Sequence, residues 1–161
     1  MRFSRILVPT DFSTGAEHAA VAAAELARSL GGTVTLLHVY NPPSLMFPDG
    51  STFAPTPAQL VEASERADED LAVASRALAS RLGDGVDIRT ATAIGDAADE
   101  IVRLADSGRF DVVVMGTHGR TGLRRLVLGS VAEKVLRRAT IPVLTVREHK
   151  GGEAAAAPHA K

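Results

Sequence analysis

The sequence predicts an α/β fold: one domain built on a doubly wound, five-stranded parallel sheet with helices on both faces. Two patterns lead there. Short apolar runs alternate along the chain with segments of helical period, and a β-α-β alternation calls for parallel strands joined by crossover helices. The runs are apolar at successive positions rather than every second one, as expected of strands covered on two sides.

The first run, "FSRILVP" (Phe3 to Pro9), is closed by proline and reads as a buried strand. A helix follows, with Thr14 and Glu17 at capping-box spacing and Ala19, Ala23, Leu26 and Leu30 at helical spacing before Gly31 and Gly32. Its many alanines would let it lie close against a sheet. "TVTLLHV" (Thr33 to Val39) reads as the second strand. The next stretch, "YNPPSLMFPDGSTFAPTP", carries five prolines and neither period, so it reads as a long loop. Ala58 to Leu82 reads as a helix with a Leu60, Ala67, Leu71, Ala74, Leu78 stripe, stopped at Gly83.

"GVDIRTATAIG" alternates well enough for a third strand. Asp96 then caps a helix whose inner face is Ile101, Leu104 and Ala105 and which stops at Gly108. "FDVVVMG" is the most apolar run and is expected to be an interior strand. Ser130 to Arg138 reads as a short helix and Ile141 to Val146 as the fifth strand. Residues 1–148 then form the domain, and "HKGGEAAAAPHAK" (149–161) is low in complexity and expected to be a disordered tail.

Composition narrows the function classes. The chain has 161 residues, 45% of them hydrophobic and 23% charged, which suffices for one well-buried core. It has no cysteine, which excludes disulfides, thiolate zinc sites and cysteine nucleophiles. A formal charge of -1 argues against general nucleic-acid binding. No apolar run approaches the ~18 residues of a membrane span, and "MRFSRILVPTDFS" lacks the apolar core of a secretory signal. The expectation is a soluble, cytoplasmic protein without a membrane partner.

Ligands of doubly wound sheets sit outside the carboxyl ends of the strands. Here those ends are "PTDFS", "HVYNPP", "AIGD" and "MGTHGRTG". The last opens "GTHGRTGLRRLVLGSVAEKV" (Gly116 to Val135), where glycines and arginines precede a helix start at Ser130. Glycine at 116 and 119 would let backbone approach a ligand and take positive φ, and a helix N-terminus attracts anions. The other reading is a solvated basic loop, with Ser130 and Glu133 as a plain capping box. Neither G-x-x-x-x-G-K-[ST] nor G-x-G-x-x-G occurs. Asp11 can contact a ligand or close an Asx-turn.

The spacing is Gly116, two residues, Gly119, nine residues, Gly129 and Ser130. It resembles the G-x2-G-x9-G-[S/T] signature of the universal stress protein family in its ATP-binding branch. "RILVPTDFS" is similar to that family's first strand and turn, and "HGRTGLRRLVLGSVAEKVLRRATIPVLTV" to its C-terminal third. The resemblance covers nearly the whole domain.

It implies sheet order 3-2-1-4-5 and ATP as ligand, with Mg2+ carried by the phosphates. Pro9, Thr10, Asp11 and Val39 would hold adenosine. Met115, Gly116, Gly119, Arg120, Gly129, Ser130 and Val131 would hold ribose and phosphates. Ala132 stands where some relatives carry a hydroxyl. The resemblance also implies a homodimer paired through the Ile141–Val146 edge strand, which would cover an apolar edge.

Among the remaining candidates, Arg120 is nearer the glycine pair than Arg124 or Arg125. Arg137 and Arg138 suit a helix C-terminus. His38 reads as a hydrogen-bonded core histidine, His118 as a solvent-facing one and His18 as outward-facing. The function expected is a dimeric, nucleotide-responsive stress or signalling module. The alternative is a slow ATP-hydrolysing enzyme, for which His118 is the one candidate base. A receiver-type phosphoacceptor, which needs an aspartate at the end of the third strand and a lysine after the fifth, is set aside on "TAIGD" and "IPVLTV".

Overall fold

From the amino terminus the elements are β1 (Arg5–Pro9), α1 (Thr14–Leu30), β2 (Thr33–Tyr40), the two-residue strands β3 (Leu45–Met46) and β4 (Thr52–Phe53), α2 (Pro57–Leu82), β5 (Asp87–Ile94), α3 (Ala97–Ala105), β6 (Val112–Gly116), α4 (Ser130–Arg138) and β7 (Val143–Val146). The structure is a computed structural model and describes residues 3–42, 45–46, 52–83, 85–117 and 128–147. The expected tail, 149–161, lies outside them.

The main sheet is wholly parallel, in the order β5-β2-β1-β6-β7. Counting only its own strands along the chain, that is the expected 3-2-1-4-5. The two central strands show why it must be covered twice: Ile6, Leu7, Val8, Val113 and Val114 are all fully buried, so neighbouring residues on opposite faces both need apolar cover. Ile6, Val8, Val34, Leu36, Val112 and Val114 pack beneath α1 and α2. Leu7, Leu37, Val113 and Met115 pack beneath α3 and α4.

α1 lies close on its face of the sheet because Gly15, Ala16, Ala19, Ala20, Ala23, Ala24 and Ala27 are its buried residues. Leu30, read as part of that face, is instead 50% exposed, and Leu60 on α2 is 38% exposed. Both stand at helix ends, past the part of the stripe that the sheet covers. The 40–57 stretch is not wholly irregular, since β3 and β4 pair antiparallel there. The fifth strand begins at Val143 rather than Ile141; before it, Pro142 O accepts from the Val113 N–H at 2.9 Å.

At the amino-terminal end of the sheet, one carboxylate ties three segments. Asp111 Oδ2 accepts from the Ser4 and Arg5 backbone N–H groups at 3.1 and 2.9 Å. Its Oδ1 accepts from Arg5 Nη2 at 2.6 Å, and Arg5 Nη1 donates to Gly108 O at 2.9 Å. The Arg5 guanidinium bond first, then the two N–H groups, hold this carboxyl down at about 2, against the opposing effect of burial. Among the described residues, no helix is long and apolar enough to cross a membrane.

Candidate functional site

The strand order reverses between β1 and β6, so the crevice outside their carboxyl ends is where such a sheet takes a ligand. A cavity of about 310 Å3 lies there, at the small end of the ~300–1,000 Å3 typical of ligand sites. Every expected contact residue that falls among the described residues lines it: Pro9, Thr10 and Asp11 from the β1 exit, Val39 from β2, Met115 and Gly116 from β6, and Gly129, Ser130 and Val131 from the start of α4. Gly119 and Arg120 lie outside the described residues, as do His118, Arg124 and Arg125. Thr117 also lines the cavity and is only 7% exposed. Its signal in the sequence was its place immediately after the strand-ending Gly116.

The turn after β1 is built from its own side chains. Asp11 Oδ1 accepts from Ser13 N at 3.1 Å and from Ser13 Oγ at 2.6 Å, which is the Asx-turn weighed above. The cap of α1 is therefore Ser13, whose Oγ accepts from Ala16 N, and not Thr14. The helix starts one residue earlier than the Thr14–Glu17 spacing suggested. Between these residues Phe12 holds φ 62, the one positive φ among described non-glycine residues. That conformation costs an L-residue about 1–2 kcal/mol; the Phe12 N–H bond to Thr10 Oγ1 at 3.0 Å helps impose it.

The other wall is a helix start without a side-chain cap. The N-cap of α4 is Gly129, φ -62 and ψ 149, with no side-chain cap hydrogen bond among the described residues. Ser130 is the first helical residue, so the Ser130–Glu133 capping box is not formed. By contrast α1, α2 and α3 are capped by Ser13, Thr56 and Asp96. The first N–H groups of a helix have no intrahelical partner, and here the positive end of its dipole borders the cavity. Ala132 is 3% exposed and packs with Leu7 and Met115 in the core.

Two glycines also do packing and backbone work. A Cβ on Gly116 would stand 2.9 Å from Gly15 C and O on α1, and Gly116 does not take positive φ. The missing side chain admits the first turn of α1 and so serves packing. Gly129 donates its N–H to Thr117 O at 2.8 Å while its own carbonyl accepts from Glu133 N at 2.9 Å. The exit of β6 and the entry of α4 are thus tied directly to each other.

His38 stands on the other face of β2, as the expected hydrogen-bonded histidine: its Nδ1 lies 2.9 Å from Thr10 O and its ring 4.5 Å from that of Phe12. A carbonyl can only accept, so Nδ1 carries the proton. His18 is partly buried rather than outward-facing, with its Nδ1 lacking a partner among the described residues. Arg137 pairs with Glu133 at 3.1 Å and Arg138 with Asp99 of α3, as suits helix-end cations.

A crevice at the reversal of a parallel sheet, between a strained strand exit and a helix start without a side-chain cap, is the arrangement of a doubly wound α/β domain at the place where such sheets take ligands. Residues 2–147 match the Universal stress protein family, and the chain belongs to it. It is 33% identical over 153 residues to Universal stress protein MJ0531 of Methanocaldococcus jannaschii, covering 92% of this chain and 84% of that one. Universal stress protein MJ0577 of the same organism is 30% identical over 154 residues, 90% of this chain and 95% of its own. The solved structure of MJ0577 superposes with TM-score 0.68, covering 94% and 100% of the two chains. A universal stress protein from Archaeoglobus fulgidus, solved in complex with dAMP, is 26% identical with TM-score 0.60 over 90% of this chain and 98% of its own.

Proposed function

We propose that this chain binds ATP in the β1–β6–α4 crevice and acts as a dimeric, nucleotide-responsive stress or signalling module of the cytoplasm. The observation that carries the reading is the α4 N-terminus, the one described helix start without a side-chain cap, bordering a cavity with the expected contact residues around it. The dAMP complex of the Archaeoglobus relative supports an adenine nucleotide, and the Gly116, Gly119, Gly129, Ser130 spacing supports a triphosphate.

Pro9, Thr10, Asp11 and Val39 would hold adenosine, and Met115 and Gly116 would border the ribose and phosphates. The N–H groups of Ser130 and Val131, with the Ser130 hydroxyl, would donate to phosphate oxygens. Gly119 and Arg120 would complete the phosphate side, and Mg2+ carried by the phosphates would offset their charge. The alternative of slow hydrolysis depends on His118 as base, a residue outside the described ones.

Isothermal titration of nucleotide-free protein with Mg-ATP tests the reading. Saturable binding that is lost in Gly129→Val is expected, and an absence of heat at millimolar ATP overturns it. The dimer would form through β7, whose Leu144 is 47% exposed on an edge. Light scattering should give twice the chain mass for the wild type and the monomer mass for Leu144→Lys; a monomeric wild type overturns that part.

A further inference from the structure

A second cavity, about 580 Å3, lies on the opposite side of the sheet from the proposed nucleotide crevice, between α1, α2 and the β1 exit. The side-chain alternation of β2 separates the two: Leu36 and His38 face this cavity, whereas Leu37 and Val39 face the other. Its space has a cause in the sequence. α1 and α2 present alanines to each other there, Ala16 and Ala20 on one helix and Ala74 and Ala77 on the other, so the helices meet without filling the gap above Leu36.

The walls differ in chemistry. Leu36, Leu78, Val21 and Val73 make an apolar floor and side, with the rings of Phe12 and His38 at the β1 end. Glu17 and Asp70 supply carboxylates, beside an Asp11 whose Oδ1 is held by Ser13, against the guanidinium of Arg81. Among the described residues, none of Glu17, Asp70 and Arg81 is in an ion pair. The formal balance favours a cation over an anion. The Nδ1 proton of His38 is given to Thr10 O, so Nε2 of the neutral ring is an acceptor. The start of α1 also borders this cavity, but it is capped by Ser13 and carries Glu17 in its first turn, so a phosphate-bearing ligand would meet carboxylates here, unlike in the crevice beside α4.

We propose that the cavity between α1 and α2 binds a small organic cation, an amine carried on an aromatic or branched apolar body. The body lies on Leu36, Leu78 and Val73 with its ring against Phe12 and His38, and the ammonium donates toward Asp70, Glu17 or His38 Nε2. This site stands independently of nucleotide binding, although Thr10 and Asp11 border both cavities.

The test is an NMR titration of the full, nucleotide-free chain with three probes sharing one ring: 2-naphthylmethylamine, 2-naphthylmethanol and 2-naphthoate. The amine should give saturable shifts at the Val21 and Val73 methyls and bind several-fold more tightly than the alcohol, with naphthoate weakest. Asp70→Asn, at an exposed position, should weaken the amine alone by about two- to five-fold. Ala77→Leu should fill the cavity and abolish amine binding while the melting temperature stays near that of the wild type. The proposal is overturned if no probe saturates, if naphthoate binds as well as the amine, or if the shifts fall at Val39 and Met115 instead. Unchanged amine binding in folded Ala77→Leu overturns it as well.

Discussion

At the amino-terminal end of the sheet, Asp111 accepts two backbone N–H bonds and the Arg5 fork, and Arg5 goes on to Gly108 O. At the carboxyl end, α4 begins on a glycine with no side-chain cap and Phe12 is held at positive φ. The first end is finished as a protein interior demands, each polar group meeting another. The second carries the strain of Phe12 on one wall of the crevice and, on the other, a helix start that no side chain caps among the described residues. An uncapped helix start is less stable than a capped one, so this is the end where a bound group could supply partners. Stability lives at one end of this sheet, and the proposed recognition at the other.

The sharpest way to break that division is Gly116→Val. The residue lies at the recognition end, yet its side chain would collide with Gly15 backbone at 2.9 Å. A loss of about 3 kcal/mol in denaturant unfolding is expected, together with loss of ATP binding. A stable variant would mean that α1 can retreat from the sheet.

Asp111→Ala should cost about 2 kcal/mol, from N–H groups left without their acceptor, and leave the ATP affinity of the folded protein unchanged by calorimetry. The same group sets an acid dependence. Its carboxyl is depressed to about 2 in the folded chain from about 4 when unfolded. Its contribution is therefore full above about pH 4 and lost as the pH falls toward about 2. The Asp111→Ala variant should show a shallower loss of stability over that window; equal slopes would show that Asp111 does not govern it.

The smallest effects separate two serines that look alike in the sequence. Ser13→Ala removes a cap and should cost about 1 kcal/mol. Ser130→Ala removes none, so its stability should stay within about 0.5 kcal/mol while ATP affinity falls a few-fold. Equal destabilisation by the two would restore the capping role to Ser130.

These serines also show how far the sequence could be read. The alternation of apolar runs and helical stretches carries the topology, because burial on both faces leaves a run such as Val112–Met115 few alternatives. Helix starts are less legible. Ser13, Thr14 and Ser130 are all acceptable caps, and which one serves depends on a backbone turn set by Asp11 and Thr10 rather than by local spacing. The capping box of α2 was missed although Thr56, Pro57 and Gln59 spell it, since it stands at the end of a proline-rich stretch read only as loop. Gly116 was visible as a glycine, but its neighbour on α1 is remote in sequence. The candidate contact residues came from the family resemblance that the Gly116–Ser130 spacing carries; the cavity between α1 and α2 had no such signal, because alanines leave no motif.

The hydrogen bond from the Gly129 N–H to Thr117 O acts as a weld between two walls of the crevice. It is made by backbone alone, so substitutions at Thr117 or Ser130 change the chemistry that faces the cavity while the β6 exit and the α4 entry keep their places. The lining can thereby be retuned one side chain at a time without rebuilding the sheet.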